Sequence, residues 1–351
     1  MGLAPHLHCF VLPVTALAFL ASAPHAPSLA FPWLLVLVGS IVADVRSRPE
    51  HGPPPAIRPG WPFDGVLYVL AALQAVNIGL LVRLIAHTGF WRADTLVALI
   101  LVGVNSGYSA LVVAHELIHR PRPHQRLFGR ALLCSVLYEH FFTEHLRGHH
   151  VRVGTTADPA TAHFGETAFR FLLRTVPAQF RSAWRLEAKR LGDEHMRVWD
   201  RRMLRSRVVH GLAVEWGLAL AILAGLGAGA AAIFVLQAAL AVRLLEAVNY
   251  FEHWGLARSE RRIRTVDSWD ADSRFTLYTL VGLARHSDHH VEAARPYQQL
   301  RFHEESPQLP YGYFGTVVLA IFANRRFRAR MTAELERRRL GPFAAADDDA
   351  A

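Results

Sequence analysis

The sequence predicts an all-α, polytopic membrane protein. About six transmembrane helices are expected, with a cytosolic helical cap that carries clustered histidines. Three observations point there. Hydrophobic residues make up 52% of the 351 and charged residues 19%, and the apolar residues come in blocks long enough to cross a bilayer. The arginines crowd between 120 and 130, 170 and 207, 258 and 264, and after 325, as expected of cytoplasmic segments. Histidines gather in four short motifs, each close to the end of an apolar block.

In order, spans are expected near 7–23, 31–43, 65–85, 95–114, 208–225 and 227–248. The first block has an Ala-Ser-Ala stretch at 21–23, but no Lys or Arg precedes it and Pro24 follows. It therefore reads as a retained helix rather than a cleaved signal. Residues 44–62 are Pro- and Arg-rich and are expected as a cytosolic loop. Arg120-Pro121-Arg122-Pro123 breaks the fourth span. Arg130–Phe142 is about half a bilayer thick and should pack against the spans without crossing alone. The stretches 144–207 and 253–310 form the expected cap. The Gly/Ala run from Ala224 to Ala232 suits a tight turn or close helix packing. Leu277–Leu283 is a short apolar piece, and Tyr311–Ala323 a last, partly embedded one. Residues 1–343 read as one membrane-embedded unit, and 344–351 as a disordered tail. Six spans and the arginine bias put both termini and all four histidine motifs on the cytosolic side of the inner (cell) membrane.

The net charge of +9 fits lipid headgroups and topology. No nucleic-acid-binding motif accompanies it. Cys9 and Cys134 are far apart, too few for a disulfide framework or an iron–sulfur cluster. Redox chemistry here needs other ligands or a separate electron carrier.

The four motifs are His115-Glu116-Leu117-Ile118-His119, Glu144-His145-Leu146-Arg147-Gly148-His149-His150, Glu252-His253 and His286-Ser287-Asp288-His289-His290. Their nine imidazoles are too many for one metal ion and fit two. His115/His119, His145/His149 and His286/His290 are i,i+4 pairs, which share a helical face. The doublets His149-His150 and His289-His290 let one helix end reach two metals. Glu116, Glu144, Glu252 and Asp288 accompany the motifs, as outer-imidazole partners or as direct ligands. Arg147 and Arg285 are expected as their charge partners. His140 is a candidate for a supporting or packing role, with a tenth ligand as the alternative. Asp158 and Glu166 read equally well as solvated charges. Val69–Leu81 and Leu96–Val112 are candidates to line a channel, or else face lipid. His115–His119 also matches HExxH, the helix of an intramembrane zinc protease with Glu116 as base. That reading leaves six histidines unused. A metal transporter would carry more polar residues within its spans.

With these residues in place, the chain resembles the integral-membrane alkane 1-monooxygenases (alkane hydroxylases) of the fatty-acid-desaturase-like superfamily. That family's boxes HELxHK, EHxxGHH, NYxEHYG and LQRHSDHH stand here as HELIHR, EHLRGHH, NYFEHWG and LARHSDHH. Flanking likeness extends the match to roughly residues 30–335. The resemblance implies a six-helix membrane enzyme with two iron ions in a non-haem di-iron centre. It implies the ligands His115, His119, His145, His149, His150, His253, His286, His289 and His290. It further implies dioxygen, an apolar substrate, most naturally a medium- or long-chain n-alkane, and electrons from a rubredoxin or ferredoxin with its reductase. Arg120, Trp254 and Ala284 depart from the family's Lys, Tyr and Gln, and Val291-Glu292-Ala293 replaces Ala-Asn-Pro. The chain's length is nearer that of relatives that hydroxylate aromatic methyl groups such as xylene. That activity and fatty-acyl desaturation are the neighbouring alternatives.

Overall fold

A computed structural model describes residues 3–52, 60–258 and 262–344. The tail expected from 344 onward falls almost entirely outside the described residues. Among the described residues all regular structure is helical; the one β contact is an isolated bridge between Asp270 and Gln308.

Six helices are long and apolar enough to cross a membrane: α1 (Ala4–Ser22), α2 (Pro27–Val45), α3 (Trp61–Thr88), α4 (Ala93–Ile118), α8 (Arg207–Leu226) and α9 (Ala228–His253). They coincide with the six apolar blocks of the sequence. Between and after them lie α5 (Pro123–Cys134), a bent helical segment α6 (141–152), α7 (Ala168–Arg190), α10 (Arg274–Thr279), α11 (His286–Val291), α12 (Tyr313–Phe322) and α13 (Asn324–Arg338).

α4 and α9 pack against each other at the centre, with α1 and α3 beside them. Their burial follows from this placement: 67% of the apolar window of α4 is buried, against 17% for the peripheral α2. The hydrophobic surface of α2 faces outward, through Leu35, Val38 and Val42, as a lipid-facing helix requires. Tight turns join α3 to α4 and α8 to α9. Gly89 (φ +83) and Gly227 (φ +87) end the leading helices there in a conformation open to glycine.

Polar side chains inside the bundle are paired, as a water-free interior demands. Gln74 Nε2 donates to Ser106 Oγ (2.8 Å), Ser106 Oγ to Gln237 Oε1 (2.6 Å) and Asn105 Nδ2 to Gln74 Oε1 (3.0 Å). This network ties α3, α4 and α9 together at a π-helical turn, Ser106–Val112, in α4.

Two short apolar pieces are interrupted. Arg130–Phe142 is not one apolar piece. Helix α5 ends at Cys134, the chain reverses through Leu137 (φ 54), and α6 starts at Phe141. Gln237 Nε2 donates to the Ser135 carbonyl at 3.0 Å, so the tip of this hairpin reaches the middle of α9. Leu277–Leu283 is likewise broken, at Val281 (φ 48) and Gly282 (φ +78). A side chain on Gly282 would strike the Tyr297 carbonyl. The break lets α11 start afresh in a new direction.

Candidate metal centre

The nine motif histidines converge. The ring nitrogens they offer form two groups that could each hold a metal ion, His115, His119, His145, His150 and His289, and His149, His253, His286 and His290; within each group the atoms lie within 4.8 Å of one another. α4 ends in His115 and His119, α9 ends in His253, and α6 and α11 carry the rest. The groups abut, with the His150 and His290 rings stacked at 4.4 Å.

The assignment of rings to groups departs from simple helical spacing. His115/His119 and His286/His290 stay together, but His145 and His149 fall into different groups. Residues His145–His149 form a π-helical turn, which has more residues per turn than an α-helix. That brings i and i+5 together: His145 Nε2 lies 3.0 Å from His150 Nε2. His149 is thereby released to face His253 and His290. A side chain on Gly148 would displace the ends of the Arg152 and Glu144 side chains, which pair across it.

The donor set suits metal ions. The Nε2 atoms approach one another at 2.9 Å (His119–His145), 3.2 Å (His150–His289), 3.2 Å (His253–His286) and 3.0 Å (His286–His290). Two imidazole nitrogens about 2.1 Å from one ion, at right angles, sit about 3 Å apart. Burial and neighbouring imidazoles hold His119, His145, His150, His286, His289 and His290 well below the usual histidine pKa. They are neutral at pH 7, the form that ligates.

Three of the four expected supporting carboxylates take other partners. Glu116 pairs with Arg120 (2.7 Å) and accepts from the Tyr297 backbone N–H (3.1 Å). Glu144 pairs with Arg152 (2.7 Å), and burial raises its pKa to about 7. Asp288 holds His303 (2.9 Å) and the Arg301 backbone N–H (2.9 Å). Glu252 is nearest the rings, with Oε2 3.4 Å from His286 Nε2; its Oε1 lies 2.6 Å from the Tyr313 hydroxyl. His140 packs on Tyr138 and Phe180, outside both groups. Arg147 and Arg285 are not the charge partners expected. Arg147 is exposed, and Arg285 donates to the carbonyls of Leu300, Glu50 and Gly52. The arginines that fill the role are Arg120, Arg152 and Arg295.

Two supporting carboxylates carry little signal in the sequence. Asp158 accepts from His149 Nδ1 at 2.9 Å and from Thr161 Oγ1 at 2.6 Å. Burial opposes its charge, but His149 and these hydrogen bonds leave its pKa below the ordinary value. It fixes which His149 nitrogen faces the group. Asp270 accepts from the Ser287 N–H (2.7 Å) and hydroxyl (2.6 Å), anchoring the first turn of α11. Asp158 lies eight residues past the second histidine motif and Asp270 has no motif around it.

An apolar cavity of about 250 Å³ opens onto both groups. Its walls come from α1 (Leu12), α2 (Leu37, Ile41), α4 (Val104–Val112), α9 (Leu244, Leu245, Val248) and α12 (Phe314, Val317). His115, His145, His149, His286 and Glu252 line one end. Of the candidate channel stretches, the end of Leu96–Val112 lines this cavity. Val69–Leu81 does not, because the inward face of α3 packs on α1, α4 and α9.

Comparison with known proteins agrees with this geometry. The fatty acid desaturase family model matches residues 91–319. Alkane 1-monooxygenase 1 of Pseudomonas aeruginosa is 38% identical over 279 residues, 72% of this chain and 69% of that protein. Alkane 1-monooxygenase 2 of the same species is 34% identical over 311 residues, 84% and 81% of the two chains. The xylene/toluene monooxygenase hydroxylase component XylM of Pseudomonas putida is 24% identical over 207 residues, 58% and 55%.

Proposed function

Because this chain belongs to the fatty acid desaturase family, among its alkane 1-monooxygenase-like oxidoreductases, we propose that it hydroxylates the terminal methyl of an apolar substrate, a medium- or long-chain n-alkane. The observation that carries this reading is the apolar cavity ending on both histidine groups. The reaction consumes one dioxygen, two electrons and two protons, and yields the alcohol and water. The electrons come from a separate rubredoxin or ferredoxin and its reductase, since the two cysteines, Cys9 and Cys134, are buried and unpaired.

The nine histidines would hold two irons, His115, His119, His145, His150 and His289 one, and His149, His253, His286 and His290 the other. Bound iron supplies the reductive activation of dioxygen. The protein's part is positional. α1, α2, α4, α9 and α12 wall a slot that excludes water and admits a chain end-on. Val104 lies eleven residues before His115 along α4, so the wall it forms lies well away from the rings. At the near end, Glu252 and the Tyr313 hydroxyl are the polar groups beside His286, placed to hold a proton there. In this reading both termini and the site face the cytoplasm, and the substrate arrives from the membrane.

A HExxH protease fits less well. Its general base would be Glu116, which is engaged by Arg120 and the Tyr297 N–H. The test is to supply octane, hexadecane, xylene and a fatty acid to membranes holding the protein, rubredoxin and reductase, and to identify products by mass spectrometry. A primary alkanol and two irons per chain are expected. An alkene, a benzylic alcohol alone, or a single zinc overturns the reading.

A further inference from the structure

A second concave site lies on the outside of the histidine-bearing end, away from the apolar cavity. It is a groove of about 530 Å³ between α5, α6 and the start of α8, lined by Arg126, Leu127, Arg130, Phe142, Arg147 and Arg207 among others. Four arginines meet there. Arg130 is neutralised by Glu139 and lies over the Phe142 ring at 5.1 Å. Arg126 and Arg147 are exposed and take part in no ion pair among the described residues.

The surroundings of the groove are apolar. Leu127, which lines it, is 66% exposed on α5. On α8, Val214 and Leu218 are also exposed. Depth follows from the fold. Arg207 opens α8, and α5 begins at Pro123, just after α4 ends. α5 then runs inward until Ser135 reaches Gln237, in the middle of α9. The arginines therefore sit at the polar edge of the apolar slab, and Leu127 on α5 with Val214 and Leu218 on α8 sit just inside it. A cationic mouth above an exposed apolar wall matches one class of molecule, an anionic phospholipid with its phosphate at the interface and its chains along the helices.

We propose that this groove binds the headgroup phosphate of an anionic phospholipid from the leaflet on the histidine side. The occupant is a membrane lipid, since a soluble phosphate would make no use of the apolar wall. The site is independent of the substrate reading.

The test uses the full chain, incubated in mild detergent with equimolar phosphatidylglycerol and phosphatidylcholine, re-isolated, and assayed for retained lipid by mass spectrometry. Phosphatidylglycerol retained in preference to phosphatidylcholine is expected. The Arg126→Gln/Arg147→Gln variant loses that preference by about 25-fold, about five-fold per arginine. Arg126→Lys/Arg147→Lys keeps it, which separates lost charge from lost folding. Arg181→Gln/Arg185→Gln, on α7, also keeps it. Equal retention of the two lipids, or an unaltered preference in the glutamine variant, overturns the proposal. So does displacement of phosphatidylglycerol by excess inorganic phosphate, which marks a plain phosphate site.

Discussion

At the level of single residues, the centre depends on which nitrogen each ring presents. Asp158 sets this for His149 through the 2.9 Å contact at Nδ1. Replacing Asp158 with Ala is expected to weaken iron retention about 10- to 100-fold, the usual cost of losing such a partner; iron per chain after graded chelation measures it. His149→Ala removes one of only four nitrogens in its group. It should abolish both full iron loading and turnover, and a fully active variant would contradict the assignment. Protonation acts on the same rings. His119, His140, His145, His150, His286, His289 and His290 titrate below their unfolded value, His140 at about 4, so acid favours the unfolded chain. Glu139, Glu144 and Asp270, raised by burial to about 7, act in the opposite sense as pH falls below 7. The histidines outnumber them. The metal-free protein should therefore lose stability as pH falls from about 6.5 to 5, seen as a falling Tm.

Among the elements, α6 has the least ordinary geometry. Its π-helical turn separates His145 from His149 and joins His145 to His150. Gly148→Ala should disturb that turn, since the new methyl meets Arg152 and Glu144. Overpacking of this kind costs about 1–3 kcal/mol, and thermal unfolding should show it together with lower iron content. The π-helical turn in α4 is held differently, by Ser106 between Gln74 and Gln237. Motif spacing reveals neither turn. A π-helical turn is set by neighbouring packing and hydrogen bonds, and leaves the hydrophobic pattern of the strand of sequence almost unchanged. The carboxylates show the same limit. Glu116, Glu144 and Asp288 lie within motifs yet bind arginine, backbone or His303, whereas Asp158 and Asp270 lie outside them and support His149 and α11.

Across the whole molecule, the slot between α1, α2, α4, α9 and α12 joins membrane architecture to chemistry. Both Val104 and His115 line it, and of its lining residues on α4 Val104 is the farthest along the helix from His115. Val104→Phe should therefore shorten the accepted chain: conversion of hexadecane falls at least ten-fold while octane conversion persists, measured by product yield on each. A uniform loss on both substrates would mean that Val104 does not mark the end of the slot. Under the proposed readings, the arginine-rich rim would meet lipid phosphates and would draw the acidic surface of a soluble electron carrier to the same end of the bundle.

The sequence by itself determined the helical class, the six apolar segments and the nine histidines. Apolar length and ligand type are local properties, written in consecutive residues. Tertiary structure alone decided how the nine rings divide five and four, which carboxylates steady them, and which helices wall the cavity. Those outcomes turn on contacts between segments more than a hundred residues apart, such as His150 with His289, and on where the backbone leaves regular α-helix, which no spacing rule specifies.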